Sequence, residues 1–126
     1  MNNISKTNIK IFESAYELAQ NGQHRVRVGA VVARKGTPLA GAFNTVRNDS
    51  PVDFKDQTYH AETNCLNSLM YEQIKRGGLT LYICRIGRRG ELLPSYPCWR
   101  CMRFIHDQKA VSKLIFWDQQ LEVIRL

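Results

Sequence analysis

Two thiols three residues apart at the start of a helical pattern, Cys98 and Cys101, constrain this chain more than any other feature. Pro97 pre-sets the helix start, because its ring holds φ where a first turn needs it. Residues three apart on a helix point in similar directions, so both sulfurs can grip one ion. The unpaired N–H groups of the first turn favour the thiolate form. His60 stands at the start of an earlier helical pattern, and one apolar strand separates the two helix starts. Two sulfurs and an imidazole nitrogen suit zinc and leave the fourth tetrahedral position for water. Glu62 lies two residues after His60 and cannot share its direction on an ideal helix. It can lean over the open position instead, as a proton carrier rather than a ligand.

The rest of the chain supplies elements around these two helix starts. Lys6 to Gln20 carries apolar residues at helical intervals, and Gly22 stops it. Val26–Ala33 and Leu39–Phe43 read as a hairpin with a turn at Lys35-Gly36-Thr37-Pro38. Gly29 and Gly41 mark either a close backbone approach or a bulge. A polar loop from Asn44 to Tyr59, with Asp49, Asp53 and Asp56, delivers the chain to His60. Ala61 to Ile74 predicts one amphipathic helix ended by Gly77-Gly78. Leu79–Ile86 is nearly continuous in apolar residues, which predicts a central strand covered on both faces. After a basic loop, a helix runs from Cys98 to Gln108, then strands at Val111–Trp117 and Leu121–Leu126. This order predicts an α/β fold: a three-layer α/β/α sandwich around a mixed five-stranded sheet. The three-residue link Asp118-Gln119-Gln120 forces the last two strands antiparallel.

The chain has 126 residues, enough for one compact core and too few for two full domains, so residues 1–126 read as a single domain. No apolar run approaches the length of a membrane span, and Met1 to Asn8 lacks the apolar stretch of a secretory signal. A cytoplasmic location follows, with no membrane partner. Cys65 and Cys84 fall in helix and strand patterns, where small buried thiols are common.

A formal charge of +7 suits a binder of nucleic acid or of a phosphorylated small molecule, and equally a soluble enzyme without a polymer partner. Arg25 and Arg27 flank a strand start; Arg85, Arg88 and Arg89 share one loop; Arg100 and Arg103 bracket Cys101. The cysteine pair alone would also fit a redox couple, but that use leaves His60 and Glu62 without a purpose. A closed structural zinc site would need a fourth protein ligand. Of the remaining imidazoles, His106 faces elsewhere on its helix and His24 precedes the first strand.

The pairing of His60-Ala61-Glu62 with Pro97-Cys98-Trp99-Arg100-Cys101 resembles the cytidine and deoxycytidylate deaminase superfamily, which includes the tRNA adenosine deaminases. The likeness runs from about Val26 to Trp117. It implies a cytidine deaminase-like fold, with zinc held by His60, Cys98 and Cys101 and Glu62 as the catalytic carboxylate. It also implies substrate contacts from Asn44 and from the backbone N–H of Ala61, and an oxyanion contact from the backbone N–H of Cys98. Relatives commonly complete their pockets across subunit interfaces, so the resemblance implies a homo-oligomer.

Departures from the family pattern narrow the function. Ala42-Phe43-Asn44-Thr45 replaces the aromatic-Asn-Gly run of deoxycytidylate deaminases. The long Arg85-to-Tyr96 link replaces the short Thr-Leu-Glu-like segment of the tRNA enzymes, which favours cytosine over adenine. The antiparallel ending matches the free cytidine deaminases. The expected activity is therefore zinc-dependent hydrolytic deamination of cytosine in a free nucleoside or nucleotide. The loop carrying Arg85, Arg88 and Arg89 should hang near the pocket rim, as a possible phosphate track for single-stranded nucleic acid, with Arg88 and Arg89 the candidate contacts to a substrate phosphate. The alternatives are a deaminase of cytosine or adenine in single-stranded DNA or RNA, and a non-catalytic basic module that binds nucleic acid.

Overall fold

The structure is a computed structural model that describes residues 4–22, 26–46 and 58–126. Helix α1 (Lys6–Ala19) begins where the Ser5 hydroxyl accepts the Asn8 N–H at 3.1 Å, satisfying one of the first-turn donors. Strands β1 (Arg27–Arg34) and β2 (Thr37–Phe43) form the hairpin, turning on Lys35 and Gly36, both at positive φ. That two-residue turn matches the right-handed twist of the strands, and it places Thr37 and Pro38 inside β2 rather than in the turn. Pro38 is tolerated because β2 lies at the sheet edge.

The loop expected from Asn44 to Tyr59 is partly a small ladder, in which β3 (Thr45–Val46) pairs antiparallel with β4 (Thr58–Tyr59). Asp49, Asp53 and Asp56 lie outside the described residues, as do His24 and Arg25. The single helix expected over Ala61–Ile74 is two: α2 (Ala61–Asn67) and α3 (Tyr71–Arg76). Ser68 ends the first, its hydroxyl donating to the Cys65 carbonyl at 2.7 Å and competing for the acceptor that a continuing helix would use. Met70 is extended at the break, and Met70 and Tyr71 are exposed although their spacing is helical. Arg34 reaches across from β1 to hold the end of α3, donating to the carbonyls of Gln73 and Gly77.

Strand β5 (Leu79–Ile86) sits mid-sheet as expected, followed by the short β6 (Leu92–Leu93) within the predicted loop. Helix α4 (Trp99–Gln108), β7 (Val111–Trp117) and β8 (Leu121–Arg125) complete the chain. The main strand order is β2-β1-β5-β7-β8. β5 and β7 are parallel and the other main neighbours antiparallel, including β7 with β8. The mixed sheet and antiparallel ending agree with the sequence. No helix among the described residues is long and apolar enough to cross a membrane.

The sheet has two covered faces. On one, α1 buries Ile11, Phe12, Ala15 and Ala19 against Val31, Ala33, Tyr82, Cys84 and Ile115. On the other, α2 and α4 bury Ala61, Cys65, Leu66 and Ile105 against Val32, Leu81, Ile83 and Leu114. Alternate residues of each strand face opposite layers, which explains why β5 must be apolar nearly throughout. Gly29 is a close approach: a Cβ there would run into the α1 backbone at the Ala15 carbonyl and the Ala19 nitrogen.

Candidate active site

The parallel pairing of β5 and β7 ends at Tyr82 opposite Ile115, and beyond it the strands part. Crevices beyond the carboxyl ends of parallel strands are the usual ligand sites of open α/β sheets. Ser95 fills the parting. Its hydroxyl donates to the Ile83 carbonyl at 2.7 Å and accepts the Trp117 N–H at 2.8 Å, while its own N–H donates to the Trp117 carbonyl at 2.9 Å. Ser95 thereby steers the following Tyr96-Pro97-Cys98 segment over the end of the sheet. A cavity of about 510 Å³ opens there, bounded by the starts of β1 and α2, the far end of β5 and the approach to α4.

His60 and Cys98 are the residues that cap α2 and α4, both in extended conformation, rather than members of the first turns. The tertiary fold brings these helix starts together. His60 Nδ1 is 3.1 Å from Cys101 Sγ and 3.9 Å from Cys98 Sγ, and all three donor atoms lie within 4.8 Å of one another. Zinc bonds of about 2.1 Å to nitrogen and about 2.3 Å to sulfur put tetrahedral ligand atoms about 3.5–3.8 Å apart. The two nitrogen–sulfur separations straddle that value, so the donor set fits the ion. Cys101 is buried and Cys98 exposed, which gives the cluster one inner and one outer thiol. Burial, then the neighbouring Glu62 and Cys98, push the Cys101 thiol well above its ordinary range. A bound cation reverses that balance, since a coordinated thiol is deprotonated.

Glu62 is 6% exposed and lines the cavity beside His60, near the Cys101 thiol. Burial raises its carboxyl above the usual carboxylate range. A backbone hydrogen bond, the His60 ring and the Cys101 contact pull it partly back. Such a group holds and releases a proton closer to neutral pH than a surface carboxylate does.

Asn44 also lines the cavity, but much of its amide is committed to β1. Its Oδ1 accepts the Val28 N–H at 2.9 Å and its Nδ2 donates to the Val26 carbonyl at 3.1 Å. One amide hydrogen and one lone pair remain for a ligand. Ala61 lies at the wall between His60 and Glu62.

Of the three arginines expected near the rim, one lines the cavity. Arg88 and Arg89 occupy an exposed turn and are not part of the cavity wall, whereas Arg85 is. Residues 83 and 85 share a sheet face, so the strand period, rather than membership of the basic loop, selects the arginine at the cavity. Ser95 and Tyr96 went unrecognised in the sequence. The Tyr96 ring is half exposed at the wall and rests edge-on against Phe116, with centroids 5.2 Å apart at 79°. Nothing in their spacing marks them, although both immediately precede Pro97.

Residues 5–117 match the family model for the cytidine and deoxycytidylate deaminase zinc-binding region. The fold is similar to that of a deoxycytidylate deaminase from cyanophage S-TIM5, solved in complex with dCMP and dUMP, with a TM-score of 0.62 and 21% identity over 90% of this chain and 82% of that one. The apo form of the phage enzyme gives 0.61 and 24% over 87% and 82%. Cytidine deaminase from Burkholderia pseudomallei gives a TM-score of 0.66 at 12% identity over 99% and 93%. Among curated proteins, none matches the chain in sequence. With the model spanning nearly the whole length and the His/Cys cluster assembled, the chain belongs to the family defined by the cytidine and deoxycytidylate deaminase zinc-binding region.

Proposed function

We propose that this hydrolytic deaminase acts on the cytosine of a free nucleoside or nucleotide, with zinc as its metal, His60, Cys98 and Cys101 as the ligands and Glu62 as the proton carrier. The observation that carries the reading is a buried carboxylate, Glu62, lining the cavity beside a cluster of three donors, one fewer than a closed tetrahedral zinc site would use. Zinc bound there supplies a water of lowered pKa. Glu62, buried beside the cluster, would carry the proton between the attacking water, the ring nitrogen and the departing amine. Water is consumed, the carbon–nitrogen bond to the amine breaks, and uracil and ammonia result. The remaining amide hydrogen or lone pair of Asn44 and the N–H of Ala61 position the base or sugar, and the N–H of Cys98 faces the oxygen developing on the base.

Residues 1–126 work as one catalytic domain in this reading, in the cytoplasm, where reducing conditions keep Cys98 and Cys101 available as thiols. A homo-oligomer is part of it; exposed Met70, Tyr71 and Trp99 offer apolar surface for self-association. The family and the dCMP- and dUMP-bound phage relative support a nucleotide-sized ligand over a polymer.

The test is a screen of zinc-loaded protein against cytidine, deoxycytidine, their monophosphates, adenosine analogues and short single-stranded oligonucleotides, reading ammonia and product mass. The expected result is about one zinc per chain and a uracil product from a free cytosine compound. Cys98→Ser and Cys101→Ser should each lose most of the metal. Full zinc occupancy without deamination of any free cytosine compound would overturn the proposal.

A further inference from the structure

Buried Glu62 marks the inner end of the cavity, beside His60, and the deaminase reading places the reacting amine against it. A nucleoside bound in that orientation directs its sugar toward the opening. Two residues of β5 line this path. Ile83 is buried, and Arg85, about 7 Å further along the strand, is exposed at the rim. Val28 lies directly across the ladder from Arg85 and also lines the cavity, so an apolar wall leads outward to a single guanidinium.

The arginines of neighbouring β1 are tied down. Arg27 donates to the Gly87 carbonyl at 3.0 Å, and Arg34 grips Gln73 and Gly77. The Arg85 side chain makes no hydrogen bond or ion pair among the described residues. Glu62 is the sole acidic residue among those described at the cavity wall, and it lies at the inner end. A free planar fork at the mouth of a pocket whose inner end recognises a base suits a doubly charged phosphate monoester.

We propose that Arg85 is a specificity-determining residue that binds the terminal 5′-phosphate, making the substrate a cytosine nucleoside 5′-monophosphate rather than the nucleoside. This rests on the deaminase reading above and deepens it. Arg88 and Arg89, in their exposed turn, have no part in it.

The test compares zinc-loaded wild type, Arg85→Ala and Arg85→Lys. Each is given cytidine, deoxycytidine, the two 5′-monophosphates and a short single-stranded oligonucleotide without terminal phosphates. Binding of uridine, deoxyuridine and their 5′-monophosphates is measured alongside by calorimetry. Wild type should favour monophosphates over nucleosides in kcat/KM. Arg85→Ala should reduce that preference at least about tenfold, chiefly through KM, with Arg85→Lys recovering part of it. Calorimetry should show the same loss of preference for the uracil monophosphates. An unchanged preference in Arg85→Ala, equal use of nucleoside and monophosphate by wild type, or a wild-type preference for the oligonucleotide would overturn the assignment. Arg85-dependent binding of the uracil monophosphates without turnover of any cytosine compound would overturn the deaminase reading and leave the phosphate contact standing. Neither binding nor turnover would overturn both.

Discussion

The two faces of the sheet are built from the same alternating strands but to different ends. The α1 face is an apolar seam, closed tightly enough that the helix backbone rests on Gly29. The α2/α4 face begins with an equally apolar core and ends in chemistry. Among the described residues three polar side chains are buried, those of Asn44, Glu62 and Ser95, and all three line the cavity on this face. Buried polar groups are costly unless bonded, and the first and last are bonded to backbone. Glu62 is held in spite of its desolvation. One face therefore stabilises the domain, while the other gives up some stability to hold reactive groups in place.

The sharpest way to break that contrast is to neutralise the carboxylate. Glu62→Gln should lower turnover at least about 100-fold while keeping fold and zinc. Near-normal turnover with zinc bound would remove Glu62 from the chemistry and leave its burial unexplained. Thermal unfolding of the variant should occur no lower than in wild type, because a desolvated carboxylate has been replaced by a neutral amide.

On the opposite face the effect should reverse in kind. Gly29→Ala pushes a methyl group into the α1 backbone and should cost about 1–3 kcal/mol of stability, read by denaturant unfolding. Zinc content and activity per folded molecule should persist. A stable variant that had lost activity instead would show that the α1 seam shapes the cavity as well as supporting it.

The smallest effect separates the thiols. Burial pushes Cys65 and Cys84, in the core layers on opposite faces, up to about 12. Both should resist alkylation in the folded, metal-free protein at neutral pH, while exposed Cys98 reacts. Zinc should then protect Cys98. Mass spectrometry of labelled peptides reads all three sites, and fast labelling of Cys84 in folded protein would contradict the closed seam.

The donors of the candidate metal cluster were legible because each half of it is encoded locally. Pro97-Cys98-x-x-Cys101 sets two donors by helix geometry, and His60-Ala61-Glu62 sets ligand and carboxylate by their separation. The central place of Leu79–Ile86 was legible for a similar reason, since a strand covered on both faces needs apolar residues at both parities. The break between α2 and α3 was not. Met70 and Ile74 keep helical spacing, and the first helix ends where the Ser68 hydroxyl takes the Cys65 carbonyl, leaving Met70 and Tyr71 exposed.

The sequence by itself determined the order of elements, the antiparallel ending and two local pairings, Cys98 with Cys101 and His60 with Glu62, because each depends on residues within a few positions of one another; the fold joined the two pairings across 38 to 41 residues. The tertiary structure decided which polar residues face the cavity. Arg85 reaches it and Arg88 and Arg89 do not, because strand parity and the parting of β5 from β7 set the direction of each side chain. Ser95, bridging that parting, acquires its role through contacts with Ile83 and Trp117. Those partners are 12 and 22 residues away in the chain, a separation that no local pattern encodes.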